Sequence, residues 1–197
     1  MTKEELLQSV RNNLSNREKV SYPEVPTFEK PGSDLKAVFE TNAKLAAVDL
    51  YDVSSVEEAQ EIMRKKLPDA KIVCSAIEEW KGNKDIHVAK PADLQDVDLG
   101  VFRAEFGVAE MGMIWCTEKS LVTNSIGYLS QHLAVLLDPE DITENMHTAY
   151  KKVEIPEAHY GCFVMGPSAT ADISAVLVHG AQGARTLSLF FLKKPKI

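Results

Sequence analysis

The 197-residue sequence is short of the features that would mark several common functions. Its three cysteines, Cys74, Cys116 and Cys162, are far apart in strand-like runs, with no C-x-x-C pair, so the chain builds no iron–sulfur or zinc site from a local motif, and buried thiols are expected. Its five histidines show neither H-x-x-x-H nor H-E-x-x-H spacing, and no metal ligand is assigned. G-x-S-x-G is absent, so no serine-nucleophile elbow is present. Gly100 to Gly112 does not form G-x-G-x-x-G, so an ordinary dinucleotide fingerprint is missing too. Basic residues are outnumbered, giving a net charge of −7, and the longest basic run is Arg64-Lys65-Lys66, placed where it complements a helix C-terminus; nucleic-acid binding is not expected. No apolar run reaches the roughly 18 residues of a membrane span. The opening Met1-Thr2-Lys3-Glu4-Glu5 reads as an acidic amphipathic helix and not as a signal peptide, which predicts a cytoplasmic protein.

What is present is the composition of one ordinary globular domain, 45% apolar and 26% charged. Leu6, Leu7, Val10 and Leu14 share one face of a first helix, and residues 17–33 carry Pro23, Pro26, Pro31 and Gly32 as an extended linker. The division expected is therefore 1–33 for helix and linker and 34–197 for an α/β domain. The freed helix then has a partner subunit, or a second copy in a homo-oligomer, to dock on. Ser33-Asp34 caps a helix to about Ala47, with Leu35, Val38, Phe39 and Leu45 inward. Val48–Val53, a helix capped by Ser54 or Ser55 with Val56, Ala59, Met63 and Leu67 at helical spacing, and the apolar run 71–75 together predict a right-handed βαβ unit. A short strand is expected at 86–89, a turn or small helix at 92–97, buried strands over 99–117 and at His132–Leu137, and a helix from Asp138-Pro139 to about Lys152. Residues 153–160 then form a connection containing Pro156.

The stretch that gathers most chemistry is Met165-Gly166-Pro167-Ser168-Ala169-Thr170-Ala171-Asp172-Ile173, followed by His179-Gly180-Ala181-Gln182-Gly183-Ala184-Arg185. A strand feeding a glycine turn, with Asp172-Ile173-Ser174 as the first turn of a helix, makes an anion-binding corner: backbone N–H groups after Gly166, hydroxyls of Ser168 and Thr170, small residues at Gly180 and Gly183, and the Arg185 guanidinium. The same residues also read as strand ends and helix caps. Asp172 either binds a ligand hydroxyl or sits against the helix dipole. Glu110, among small and apolar neighbours, is either a general base or nucleophile raised by burial or an exposed turn glutamate.

The run GPSATADISAVLVHGAQGAR resembles the C-terminal signature of the lactate-utilisation (LUD) domain family, in particular its small members called lactate utilization protein C. Those read G-P-S-x-T-A-D-I-E and then G-x-H-G-P-R; here Gln182 stands in place of the histidine and Ala184 in place of the proline. The A-E-x-G unit at Ala109–Gly112 is similar to the family's A-E-T-G-T-L, with Met111 and Met113 in place of threonines. The resemblance implies a three-layer Rossmann-like sheet with helices on both faces, as in ribose-phosphate isomerases, CoA transferases and formyltetrahydrofolate cyclo-ligases, with its site at the carboxyl ends of strands. It also implies work in oxidising L-lactate to pyruvate beside partner subunits that carry the iron–sulfur clusters. This chain would then be the cofactor-poor component, binding a small anion. A free-standing enzyme acting on a phosphorylated or acyl small molecule, with Glu110 as base, and a ligand-free scaffold are the competing readings.

Overall fold

The computed structural model describes residues 2–14, 21–29, 32–153, 159–173 and 175–194. Helix α1 (Lys3–Leu14) buries none of its residues. Residues 21–29 carry no regular secondary structure, and their end touches the body of the domain where Asn145 Nδ2 donates to Thr27 O (2.7 Å) and the Phe28 ring lies 5.0 Å from that of His147. Asp34 caps α2 (Leu35–Leu45) by accepting from Ala37 N, and Ser55 caps α3 (Val56–Lys66) by accepting from Glu58 N. Between them runs β1 (Val48–Asp52), and beyond them β2 (Val73–Ser75). The inward face of α2 is narrower than its pattern predicts. Phe39 and Ala43 are buried, whereas Val38 and Leu45 face out.

No strand forms at 86–89; the bridge to Cys74 is made by Lys84, because the Asn83 side chain ties itself to Val73 N and Lys71 O instead. A 3₁₀ turn at Pro91–Leu94 leads into β3 (Leu99–Arg103), β4 (Phe106–Val108) and β5 (Met113–Thr117). Two one-turn helices, α4 (Glu118–Leu121) and α5 (Ile126–Leu129), precede β6 (His132–Leu137). The long helix expected after Pro139 is replaced by a 3₁₀ turn at Pro139–Asp141, strand β7 (Ile142–Thr143) and a short α6 (Met146–Tyr150). The Asp138 side chain turns the chain by accepting from Glu140 N, β7 pairs with β4, and Asn145 caps a fresh helix, so helical continuity is lost twice. The connection expected at 153–160 lies mostly outside the described residues. Strands β8 (Gly161–Val164), β9 (Ala169–Thr170), β10 (Val178–His179) and β11 (Thr186–Phe191) complete the chain.

The main sheet is wholly parallel, in the order β1-β11-β6-β3-β2. Alternate residues divide its faces. Val101, Ala134, Leu136 and Phe190 pack with Val56, Ala59 and Met63 of α3 and with Trp80, while Phe102, Leu133, Val135, Leu187 and Leu189 face α2 and the short helices. The fold is thus α/β, a parallel sheet with helices on both faces, as its strand pattern predicts. A second sheet, β7-β4-β5-β8, adds cover on the α2 side. Two glycines let the C-terminal half of α2 approach it. A Cβ on Gly112 (φ +61°) would lie 2.2 Å from Ala43 N, and one on Gly166 2.4 Å from Ala46 O. Among the described residues no helix is long and apolar enough to cross a membrane.

Candidate functional site

In an open parallel sheet, the strand carboxyl ends are where loops diverge and leave a crevice. A cavity of about 610 Å³ opens there, between the main sheet and the second one. One wall belongs to the main sheet: Ala76 and Ile77 after β2, Arg103 at the end of β3, and Lys194 after β11. The other belongs to the second sheet and its helices: Trp115 and Thr117 on β5, Lys119 and Ser120 on α4, and Lys152 after α6. Glu105 lies where the chain passes from β3 to β4, at the junction of the two walls. Four cationic side chains therefore line the cleft with one carboxylate, in a chain of net charge −7.

Each group is held by local structure. The buried Thr117 hydroxyl donates to Glu105 Oε1 and at the same time caps α4 by accepting from Ser120 N, while Thr117 N donates to Ser120 Oγ (2.9 Å). Arg103 Nη1 donates to Leu192 O at 3.1 Å; burial pulls the pKa of its guanidinium below the usual value, opposed by the carboxylates of Glu79, Asp138 and Asp141. Lys194 is fixed by its N–H to Asp138 Oδ2 (2.7 Å) and by Nζ to Asp141 Oδ2 (2.5 Å). Lys152 Nζ stands 5.6 Å from the centre of the Phe106 ring. The end of α4 is strained. Val122, a β-branched residue, sits at φ +60°, ψ −55°, where Thr123 N closes a γ-turn onto Leu121 O (2.6 Å). Such a conformation costs about 1–3 kcal/mol and is concentrated at functional sites. It ends the short helix that carries Lys119 and Ser120.

The residues singled out in the sequence are distributed differently. Asp172 does not start a helix. Residues 169–170 pair antiparallel with 178–179, and the intervening turn has Asp172 N donating to Thr170 Oγ1 (3.3 Å); Ser174 lies outside the described residues. Ser168 N and the Ser168 and Thr170 hydroxyl oxygens take part in bonds within residues 168–184, the hydroxyl oxygens as acceptors. Ser168 N donates to Ala184 O (2.8 Å), Ser168 Oγ accepts from Gln182 N (3.2 Å), and Ser168 O accepts from Gly180 N (2.8 Å). Gly180, at φ +79°, packs under the stem of Arg185. Gly166, Ser168, Gln182 and Gly183 line a hollow of about 340 Å³ beside Tyr128. Arg185 is outside it, in a hollow of about 280 Å³ with Lys66, Asp98, Gln131 and His132 at the amino ends of the strands. Burial, together with Arg185 and Lys66, pulls the His132 imidazole below its ordinary value.

Glu110 is exposed in the β4–β5 turn. Its Oε2 accepts from Met146 N (3.1 Å) at the start of α6, and its carbonyl accepts from Asn42 Nδ2 (3.0 Å). It borders a third hollow, with Phe28, Asn42, Asn145 and His147, that shares no lining residue with the signature hairpin. Of the two readings of Glu110, the exposed turn glutamate is the one its position fits.

A parallel three-layer α/β domain with a cation-lined cleft at its strand carboxyl ends is the class this geometry defines. The LUD domain profile matches residues 75–192, and the chain belongs to the LUD domain family. Among solved structures it is similar to a DUF162 family protein from Deinococcus radiodurans, with a TM-score of 0.61 at 14% identity, covering 82% of this chain and 99% of that one. That likeness is one of fold. No curated protein matches the sequence.

Proposed function

We propose that this chain serves L-lactate utilisation in the cytoplasm. In this reading it is the cofactor-poor component of lactate-to-pyruvate oxidation, binding the small organic acid while partner subunits hold the iron–sulfur clusters and carry the electrons. Family membership supports the pathway. The observation that carries the binding role is the cleft at the carboxyl edge, where Arg103, Lys119, Lys152 and Lys194 surround Glu105. A guanidinium grips a carboxylate in a two-pronged, planar contact, and a neighbouring carboxylate accepts the hydrogen bond of an adjacent hydroxyl. Purification of the complex from the native host, with L-lactate titrated into the isolated chain, tests both halves. Cysteine-rich iron–sulfur subunits should co-purify, and L-lactate should bind more weakly after Lys119→Ala. Purification as a lone chain that ignores lactate would sink the reading.

The size of the cleft favours a second reading. A volume of about 610 Å³ is in the range that encloses ligands much larger than a three-carbon acid. A free-standing enzyme acting on a phosphorylated or acyl small molecule would use such a space. Turnover of such a compound by the purified chain, without partners, would distinguish it. Failure of every small acid to bind would leave a scaffold.

A further inference from the structure

We propose that the cleft takes a small molecule with two anionic groups, one held by each wall, and that Glu105 accepts a hydrogen bond from a hydroxyl between them. The class is a short phosphorylated hydroxy acid. This rests on the reading that the cleft is the ligand site, and it goes further in fixing what the ligand must carry.

Positive charge is divided between the two walls of the cleft. Arg103 and Lys194 stand on the main-sheet wall, close enough together that Arg103 donates to Leu192 O two residues before Lys194. Lys119 and Lys152 stand on the facing wall, and neither has a carboxylate partner among the described residues. Arg103 and Lys194, by contrast, are within the field of Asp138 and Asp141. A single carboxylate bound to one wall leaves the exposed Lys119 and Lys152 of the other without a counter-anion across a concave cleft that concentrates positive potential. Two anionic groups separated by a short carbon chain neutralise both walls together.

The middle of the cleft is specified as well. Thr117 donates to Oε1 of Glu105, and the same residue lines the cavity where the two walls meet, so its carboxylate is the acceptor the cleft offers. An ionised carboxylate accepts and does not donate, so the group opposite it must be a donor such as a hydroxyl.

The test is calorimetric titration of the intact chain with four probes at one ionic strength: 3-phosphoglycerate (two anions and a hydroxyl), phosphoglycolate (two anions without one), L-lactate and orthophosphate. Trp115, which lines the cleft, supplies a fluorescence signal for the same titrations. 3-Phosphoglycerate should bind at least about tenfold more tightly than L-lactate or orthophosphate. The exposed-wall double variant K119A/K152A, its fold checked by circular dichroism, should remove most of that advantage, and Glu105→Gln should narrow the gap between 3-phosphoglycerate and phosphoglycolate. Equal binding of one-anion and two-anion probes, or a double variant that binds like the wild type, overturns the proposal. Tight L-lactate binding with weak 3-phosphoglycerate binding overturns it while the lactate reading survives. If none of the four binds at millimolar concentration, the cleft loses its role and both fall.

Discussion

Carboxylates of this chain are placed by the N–H groups and hydroxyls around them, and Asp98 shows what such placement is worth. Its Oδ2 accepts from Lys71 N (2.7 Å) and Ile72 N (2.8 Å), tying the approach to β2 to the start of β3. Those two bonds hold its pKa below the ordinary 3.8, against the opposing effect of burial and with help from His132 and Lys71. A depressed pKa means that the unfolded chain binds the proton more readily than the folded one. The stabilisation is therefore complete above about pH 4 and is lost as pH falls through the folded-state value. Asp98→Ala should cost about 1–2 kcal/mol at neutral pH, the lower part of the range for hydrogen bonds to a charged group because the site is partly wet. Urea unfolding at neutral pH and at about pH 3 checks it. The variant should lose less stability on acidification than the wild type, and an equal acid loss in both proteins would show that Asp98 is not a source of the acid sensitivity.

Among the elements, α1 stands apart. Leu6, Leu7, Val10 and Leu14 remain 40–54% exposed, and no residue of the helix is buried. Removing residues 1–14 should leave the thermal midpoint of the domain unchanged, while light scattering should register any change in association if the apolar stripe meets a second copy or a partner. A lowered midpoint would place the helix in the core. Strands were the most legible elements: His132–Leu137 forms β6 with the bounds its unbroken apolar run predicts, because a strand buried on both faces needs no other pattern. Misreadings came where a side chain took over a backbone partner. Asp138 and Asn145 broke one expected helix into a turn, a strand and a short helix, and Thr170 drew Asp172 into a hairpin turn. Glu110 was open to two readings, a buried base among small and apolar neighbours or an exposed turn glutamate, and it lies exposed within the β4–β5 turn. The cleft was hidden for a different reason. Arg103, Lys119, Lys152 and Lys194 span most of the second half of the sequence and form no motif; only topology brings them together. The one available signal was Arg103 and Glu105 directly after an apolar strand, where a parallel sheet places its site.

At the scale of the whole molecule, the cleft lies between two sheets that the chain crosses at Glu105, so a ligand touching both walls links them in the folded state alone. Mass action then turns affinity into stability. With ligand at about 100 times its dissociation constant, the folded state gains about 2.7 kcal/mol. For a domain of this size each kcal/mol raises the melting temperature by about 2–4 °C, so 3-phosphoglycerate should raise it by about 5–11 °C. The net charge of −7 offers anions no general attraction, so the shift should be clearly smaller in K119A/K152A and shrink further as added salt screens the cleft. Differential scanning calorimetry of both proteins, with and without ligand, reads this directly. An equal upward shift in the double variant would move the binding site elsewhere, the Arg185 hollow at the opposite edge of the sheet being the next place to look, and Arg185→Ala would then be the variant that abolishes it.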